Sequence, residues 1–355
     1  MTQPPAQNRV IRVKSLPKAT LKPTDFELTT APMPTPQNDQ LLVRVILMSI
    51  DAANRSWLQG ATYRAAVKAG DAMPTFAVAQ VIESRSDRFQ PGDLVTTEAV
   101  WADYAAVPAR GAVKLAQTGA GAASLSHWLS VFGIAGKTAF HGLIDVGRAL
   151  AGETVVVSAA AGSVGGYVGQ IAKAIGCRVV GIAGGSDKCS WVQDTLGFDA
   201  CVDYRAPDFG KALRAACPAG IDVYFDNVGG AVLESALFSM NDRGRVVCCG
   251  AISQYDGPAP SGPRNLPGMV VVKRLRMEGF IVTDFHRDAP RAERALAAWL
   301  HQGKIRITED ITQGLESAPQ ALIGLLAGDN KGKRMVRLSD DPAPTANTPS
   351  EKATT

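Results

Sequence analysis

The residues Ala160-Ala161-Gly162-Ser163-Val164-Gly165 have types and a spacing that can hold a diphosphate. The pattern is A-x-G-x-x-G. Gly162 lets the backbone come close to a pyrophosphate, and Gly165 lets a helix pack on a strand with no Cβ between them. A β-branched run, Val155-Val156-Val157, precedes the turn, and a stretch of helix formers, Gln170 to Ile175, follows it. The turn therefore stands between a buried strand and the start of a helix, the context the pattern requires. A phosphate would sit against unpaired N–H groups at the positive end of that helix. The chemistry this points to is dinucleotide binding.

Where a ribose 2′-hydroxyl is bound, an acidic residue stands about 20 positions after the glycines. Here the second strand ends Ala183-Gly184-Gly185-Ser186 with no acid, and Lys188 follows in the next turn. A cation and a hydroxyl without a carboxylate suit a 2′-phosphate, which an acid would repel and a lysine attracts. Asp187 stands close by but suits a helix N-terminus, where Ser186 or Asp187 could cap. The bland alternative for Lys188 is a solvated surface lysine, and the absent acid favours the 2′-phosphate. The cofactor expected is NADPH/NADP+, with Gly184, Ser186 and Lys188 joining Gly162, Ser163, Val164 and Gly165 as candidate contacts.

Metal is not expected. Zinc sites draw on clustered Cys and His, and the first hundred residues contain neither. The histidines, His127, His141, His286 and His301, are scattered with no i, i+4 pair. Six cysteines (177, 189, 201, 217, 248, 249) form no CxxC, and buried free thiols in a reducing cytoplasm are the expectation.

These residues need elements to position them. At 355 residues, two domains are expected. Residues 1 to about 10 read as a frayed end. From Arg9 to Gly111 short strands (VIRVKSL, FELTTAPMP, QLLVRVILMSI, FAVAQVIES, GDLVTTEAVWADYAAVP) are broken by Pro and Gly clusters, which suggests a small, partly open barrel. Asp51 to Asp71 reads as a longer loop or short helical segment with Trp57, Tyr63 and Arg64. From Ser124 the register becomes helical, and strands then alternate with helices through ACVDY, IDVYFDNVG and GRVVCCGAI (244–252) to RMEGFIV. That alternation predicts an α/β, doubly wound parallel sheet of Rossmann type. A helix over 288–302 and a last helix and strand follow, the strand returning to the first domain. From Ser339 the chain is polar and poor in apolar residues, a disordered tail over 339–355. The polar, Pro-rich N-terminus has no apolar core like that of a signal peptide, and no apolar run is long enough to span a bilayer. A net charge of +4 gives no basis for nucleic-acid binding, so neither membrane nor nucleic acid is an expected partner.

The segments AAAGSVGGYVGQIAKAIGCRVVGIAGGSDK, LGFDACVDYR, DVYFDNVGG, CCGAISQYD, RMEGFIVTDF and LLAGDNKGK resemble one family. It is the zinc-free medium-chain dehydrogenase/reductases, in the branch of prostaglandin reductase, leukotriene B4 dehydrogenase and alkenal double-bond reductase. The likeness runs from about Asn8 to Leu338. It implies a GroES-like barrel domain over 1–125, completed by about 303–338, and an NADP-binding Rossmann domain over 126–302. It implies NADPH-dependent reduction of the C=C bond of enals, enones or oxo-prostaglandin-like lipids in a homodimer joined through the Rossmann domain, whose open sheet ends in an edge near Arg276 to Val282; the setting expected is cytoplasmic. A zinc-free quinone reductase and a non-catalytic NADPH-binding protein are the alternatives. The resemblance places Tyr204 on the adenosine side and Asn227 where the cofactor crosses the sheet. Cys249, Gly250, Ala251, Ile252, Ser253 and Tyr255 match the segment around the nicotinamide ribose, and Phe280, Ile281, Val282 and Asn330 match segments that close over the nicotinamide. Tyr255 is the candidate proton or hydrogen-bond donor. The chain departs from the branch at Asp51 to Ser56, where a DPYMRG stretch is usual, so the Tyr of that stretch is absent and Tyr63 is its candidate replacement. Asp256 stands where Asn is usual.

Overall fold

The computed structural model describes residues 5–115, 124–256 and 262–342. The hairpin of β1 (Gln7–Val13) and β2 (Phe26–Pro32) opens the chain, with Gln7 opposite Pro32. The frayed end expected over the first ten residues is corrected from Gln7 on, where β1 is already formed, and residues 1–4 lie outside the described residues. Buried Asn8 donates through Nδ2 to the Tyr104 carbonyl and accepts the Tyr104 N–H at Oδ1, which pins the strand.

β3 (Gln40–Ser49) is apolar along nearly its whole length and forms the spine of the first sheet. After it come α1 (Ala53–Trp57), β4 (Pro74–Ser84), β5 (Leu94–Val100), β6 (Tyr104–Pro108) and β7 (Val113–Lys114). β4 and β6 flank β3, both antiparallel to it. The hairpin closes the sheet through Ile11, whose N–H reaches the Trp101 carbonyl at 2.8 Å, while the Trp101 N–H reaches Met73 at 2.7 Å. Fully buried Trp101 fills the space inside, against Phe26. The result is a partly open barrel.

The second domain begins with α2 (Ile134–Phe140), which runs on into a π-helical turn, His141–Val146. Next come β8 (Thr154–Ser158), α3 (Ser163–Ala174), β9 (Arg178–Ala183), α4 (Ser186–Leu196), β10 (Ala200–Asp203) and α5 (Phe209–Ala216). The domain continues with β11 (Ile221–Asp226), α6 (Gly230–Ser239), β12 (Met240–Cys248), α7 (Leu266–Lys273), β13 (Arg276–Gly279) and α8 (Ala289–His301). The strand order is β10-β9-β8-β11-β12-β13, and every neighbouring pair is parallel. That is the doubly wound order 3-2-1-4-5-6, in which ligands bind where the order reverses, here between β8 and β11. β8 is buried at all five residues, as a central strand covered by helices on both faces must be.

β14 (Glu309–Gln313), α9 (Ala318–Ala327) and β15 (Lys333–Arg337) complete the chain. β15 lies parallel to β14 and antiparallel to β3, with Met335 opposite Ser49, so the last strand does return to the first sheet. Two strand ends differ from expectation. β12 begins at Met240 and stops at Cys248, because Cys249 and Gly250 turn away to bond the Asp226 carbonyl. β13 stops at Gly279, which leaves Phe280 to Val282 beyond the strand. Of the expected tail, Ser339 to Pro342 are described, with the Ser339 hydroxyl on the Val45 carbonyl; residues 343–355 lie outside the described residues. All six cysteines are free. Cys177, Cys189 and Cys217 are buried, whereas Cys201, Cys248 and Cys249 are only partly so. No helix among the described residues is long and apolar enough to cross a membrane.

Candidate active site

β8 delivers the chain to Ala159, which holds φ +52°, a left-handed conformation uncommon for a residue with a Cβ. Conformations of that kind cost about 1–3 kcal/mol and gather at ligand clamps. At Gly165 a Cβ would lie 2.3 Å from the Ala159 carbonyl oxygen, and at Gly162 the same oxygen would be 3.1 Å away. The helix thus seats on the turn only because position 165 has no side chain. α3 opens at Ser163 with Gly162 as its cap and no side chain capping it. Its first N–H groups lack helical acceptors, and the Ser163 hydroxyl is buried with no partner among the described residues. A diphosphate supplies the acceptors that both lack, so these residues fit the group.

At the end of β9 the cap of α4 is Gly185, at φ +91°, and not Ser186 or Asp187; the left-handed turn suits a glycine and leaves Ser186 exposed in the first turn. Asp203 is the nearby acid, but its Oδ1 accepts the Gly185 and Arg205 N–H groups, both at 2.9 Å, and these hold its carboxyl below the usual range. Gly184 is flanked by Tyr204 and Arg205, whose atoms would meet a Cβ there at 2.9 and 3.0 Å. The Lys188 ammonium donates to the Gly328 carbonyl. Burial lowers its pKa, Arg205, Lys331 and Arg334 lower it further, and Asp329 opposes them. Arg205 and Lys331 escaped the sequence reading. Their signal was a basic residue directly after Tyr204 and a second one in GDNKGK.

The loop from Gly328 to Gly332 crosses the turn between β8 and α3. The Gly332 N–H donates to Ala161 at 2.9 Å, Gly332 bridges Gly162, and buried Asn330 donates through Nδ2 to the Gly332 carbonyl at 2.8 Å. Gly162, Lys188 and Asn330, far apart in sequence, are in this way brought together.

At the switch point Asn227 donates from its backbone to the Ser158 hydroxyl at 2.9 Å and from Nδ2 to the Ser158 carbonyl at 2.8 Å. The 249–255 segment is tied across the end of β11: Cys249 and Gly250 donate to Asp226, Ile252 to Asn227, and Ser253 to Val228. The Tyr255 hydroxyl turns back to accept the Ala251 N–H at 3.2 Å. Burial pushes the Cys249 thiol up to about 12, so it is a packing group rather than a thiolate. Phe280 meets Phe225 edge-on at 6.4 Å, and a Cβ at Gly142 would lie 2.6 Å from atoms of both rings. Ile281 and Val282 follow, half-buried. Tyr204 is 45% exposed, with its ring against Gly184 and the Arg205 guanidinium 5.7 Å from the ring centroid.

Tyr63 lies on the loop after α1, 56% exposed, with its hydroxyl accepting the Trp57 Nε1–H at 3.3 Å. Desolvation raises its phenol, and Asp51 and Tyr255 add to the rise. Gln59 of the same loop donates to the Tyr255 carbonyl at 3.0 Å, so the two tyrosine-bearing segments touch. A separate cavity of about 690 Å³, lined by Asn8, Arg12, Arg64, Glu98 and Tyr104 among others, lies in the barrel domain and contains none of the candidate site residues. Among the described residues no group of three or more His, Cys, Asp or Glu is placed to hold a metal ion.

Residues 9–115 match a family described as the N-terminal domain of oxidoreductase, and residues 163–299 one described as zinc-binding dehydrogenase. The chain is 40% identical over 347 residues to the NADPH-dependent curcumin reductase of Escherichia coli (strain K12), covering 96% of this chain and 100% of that protein. It is 40% identical over 321 residues to prostaglandin reductase 1 of Rattus norvegicus, 89% of this chain and 95% of the relative. The crystal structure of CurA in complex with NADPH from Vibrio vulnificus matches with a TM-score of 0.88 at 38% identity, over 94% of this chain and 100% of that one.

Proposed function

The chain belongs to the zinc-free medium-chain dehydrogenase/reductases, in the prostaglandin and alkenal reductase branch, and from this we propose that it reduces the C=C bond of enals and enones with NADPH. The observation that carries the reading is the meeting of the phosphate turn, Lys188, Asn330 and the Tyr255 segment around the β8/β11 switch point. NADPH, when bound, supplies the hydride that adds to the β-carbon. The chain's own residues hold and orient it. Ser163 and the first N–H groups of α3 take the diphosphate, Lys188 with Arg205 the 2′-phosphate, and Gly184, Ser186 and Tyr204 border the adenosine. Asn227, Cys249 to Ser253, Phe280 to Val282 and Asn330 frame the nicotinamide side. Negative charge develops on the substrate carbonyl oxygen, and a preorganised donor there stabilises it. The oxygen of the Tyr255 hydroxyl accepts from Ala251, so its proton is free to be donated. Tyr63 is the second candidate donor.

We also propose the domain limits 1–125 with 303–338, and 126–302, and a homodimer joined at the β13 edge in a cytoplasmic setting. Exposed Val271 (73%) and Val272 (69%) on α7, beside that edge strand, support an isologous contact there. The free cysteines suit a reducing compartment. A panel of an alkenal, a cyclic enone and a quinone, with NADPH oxidation as readout, tests the activity. Turnover of the alkenal and the enone is expected. Turnover of the quinone alone, or of nothing, would overturn the reading.

A further inference from the structure

We propose that Arg55 and Asp256 form a cross-domain latch, with Asp256 as a positioning residue that sets Tyr255 against the loop carrying Tyr63. The inference rests on the reductase reading and deepens the same site. Arg55 stands on α1 of the barrel domain; Asp256 directly follows Tyr255, on the segment tied over the parallel sheet. The Arg55 Nε donates to Asp256 Oδ1 at 2.9 Å, and the two side chains are only 4% and 13% exposed. The same oxygen accepts the Leu21 N–H at 2.8 Å, while Arg55 Nη2 donates to the Ala19 carbonyl at 2.8 Å. Gln59 holds the carbonyl of Tyr255 itself. Two consecutive residues of the cofactor-side segment are thus gripped from one short stretch of the other domain. Among the described residues no other salt bridge joins the two domains.

The chemistry of the pair explains why it fixes geometry. A buried guanidinium without its carboxylate is a strongly unfavourable state, so the link holds only when both partners are docked. Arg55 Nη1 is already buried without a partner among the described residues, which leaves the arginine dependent on Asp256 and Ala19. Domains of one chain move relative to each other by default unless a large hydrophobic interface joins them. A donor next to the latch is sensitive to such motion, because a displacement of about 1 Å at a reacting group can cost on the order of 10²-fold in rate.

The test compares the full-length protein with Asp256→Ala, Asp256→Asn and Arg55→Lys. Steady-state kinetics with an enone, NADPH affinity by fluorescence and hydrogen exchange at residues 53–59 are measured for each. Asp256→Ala is expected to lower kcat about tenfold or more while NADPH affinity stays within about twofold, the signature of lost positioning and not of lost binding. Asp256→Asn keeps the oxygen that accepts from Arg55 and Leu21, so kcat should recover to within about threefold of the parent. Arg55→Lys cannot reach Asp256 and Ala19 together, so it should lose kcat without losing NADPH. It also keeps the test open if Asp256→Ala fails to fold. Exchange at 53–59 should rise in the Ala and Lys variants with no substrate present. Parent-like kcat and exchange in Arg55→Lys overturn the latch, as does a parallel loss of NADPH affinity. A parent that turns over no enone, with exchange still coupled to Asp256, overturns the reductase reading and upholds the latch.

Discussion

Lys188 carries its charge only below its pKa, and burial beside Arg205, Lys331 and Arg334 has lowered that value from 10.5. While it is cationic, NADPH is expected to bind at least about tenfold tighter than NADH, roughly 1.4 kcal/mol. The preference should fade as pH rises through the lowered value, earlier than for an ordinary lysine. It should also weaken below about pH 6, where the 2′-phosphate loses its second charge. Affinities for both cofactors across this range check the sign, and a ratio unchanged up to pH 10.5 contradicts it. Lys188→Ala should remove most of the preference at neutral pH. Tyr255→Phe deletes a hydroxyl and leaves the Ala251 N–H without its acceptor. Loss of a donor to developing charge typically costs about 10²–10³ in kcat, and that fall with NADPH affinity kept is the expected outcome. A fall in NADPH affinity alone would make Tyr255 a cofactor clamp. At this scale the sequence showed residues whose neighbours along the chain explain them: Gly162, Gly165 and Lys188 sit in a local strand–turn–helix pattern. Arg205, Gly142 and the Arg55–Asp256 pair escaped it, because their partners come from other parts of the chain through packing.

The turn between β8 and α3 gives the sharpest test at the scale of elements. Gly165→Ala would place a methyl 2.3 Å from the Ala159 oxygen and 2.9 Å from its carbon, both backbone atoms that cannot swing away. Overpacking of this kind costs about 1–3 kcal/mol. The midpoint of thermal unfolding should drop by about 2–4 °C per kcal/mol, and NADPH affinity should fall with it. Gly210→Ala in α5 is the control, since nothing lies within 4 Å of its added Cβ, and it should leave both unchanged or raise stability slightly. An undisturbed Gly165→Ala variant would show that the turn relaxes freely. The alternation of strands and helices was legible because each helix and each buried strand carries its own period. Strand ends were less so. β12 ends at Cys248 because the Asp226 carbonyl captures the next two N–H groups, a contact across the sheet that no local pattern encodes.

For the whole molecule, exposed Val271 and Val272 beside β13 lead to the expectation of a dimer in light scattering at micromolar concentration; a species of 37.3 kDa alone would contradict it. Activity is expected to survive exhaustive chelation, and one tightly bound zinc per chain lost together with activity would refute that. The two-domain plan was legible from the change of pattern at Ser124, and the return of the last strand from a β pattern shared with the first domain. The docking between domains was not, because its contacts, such as Gln59 to the Tyr255 carbonyl, join residues far apart in the chain.

The pairing of β15 with β3 has a consequence for how the protein is made. Met335 is synthesised long after Ser49, the residue it lies opposite. At about 5–20 residues per second, the edge of β3 that β15 covers waits on the order of 15–60 s beside the ribosome before its partner strand exists. Through that interval the first sheet is an unfinished template with an open apolar edge, and nascent chains that stall before Lys333 never close it. Such fragments should appear in the insoluble fraction and on chaperones, whereas the full chain does not; a soluble, monomeric chain ending at Gly332 would show that the barrel tolerates its open side.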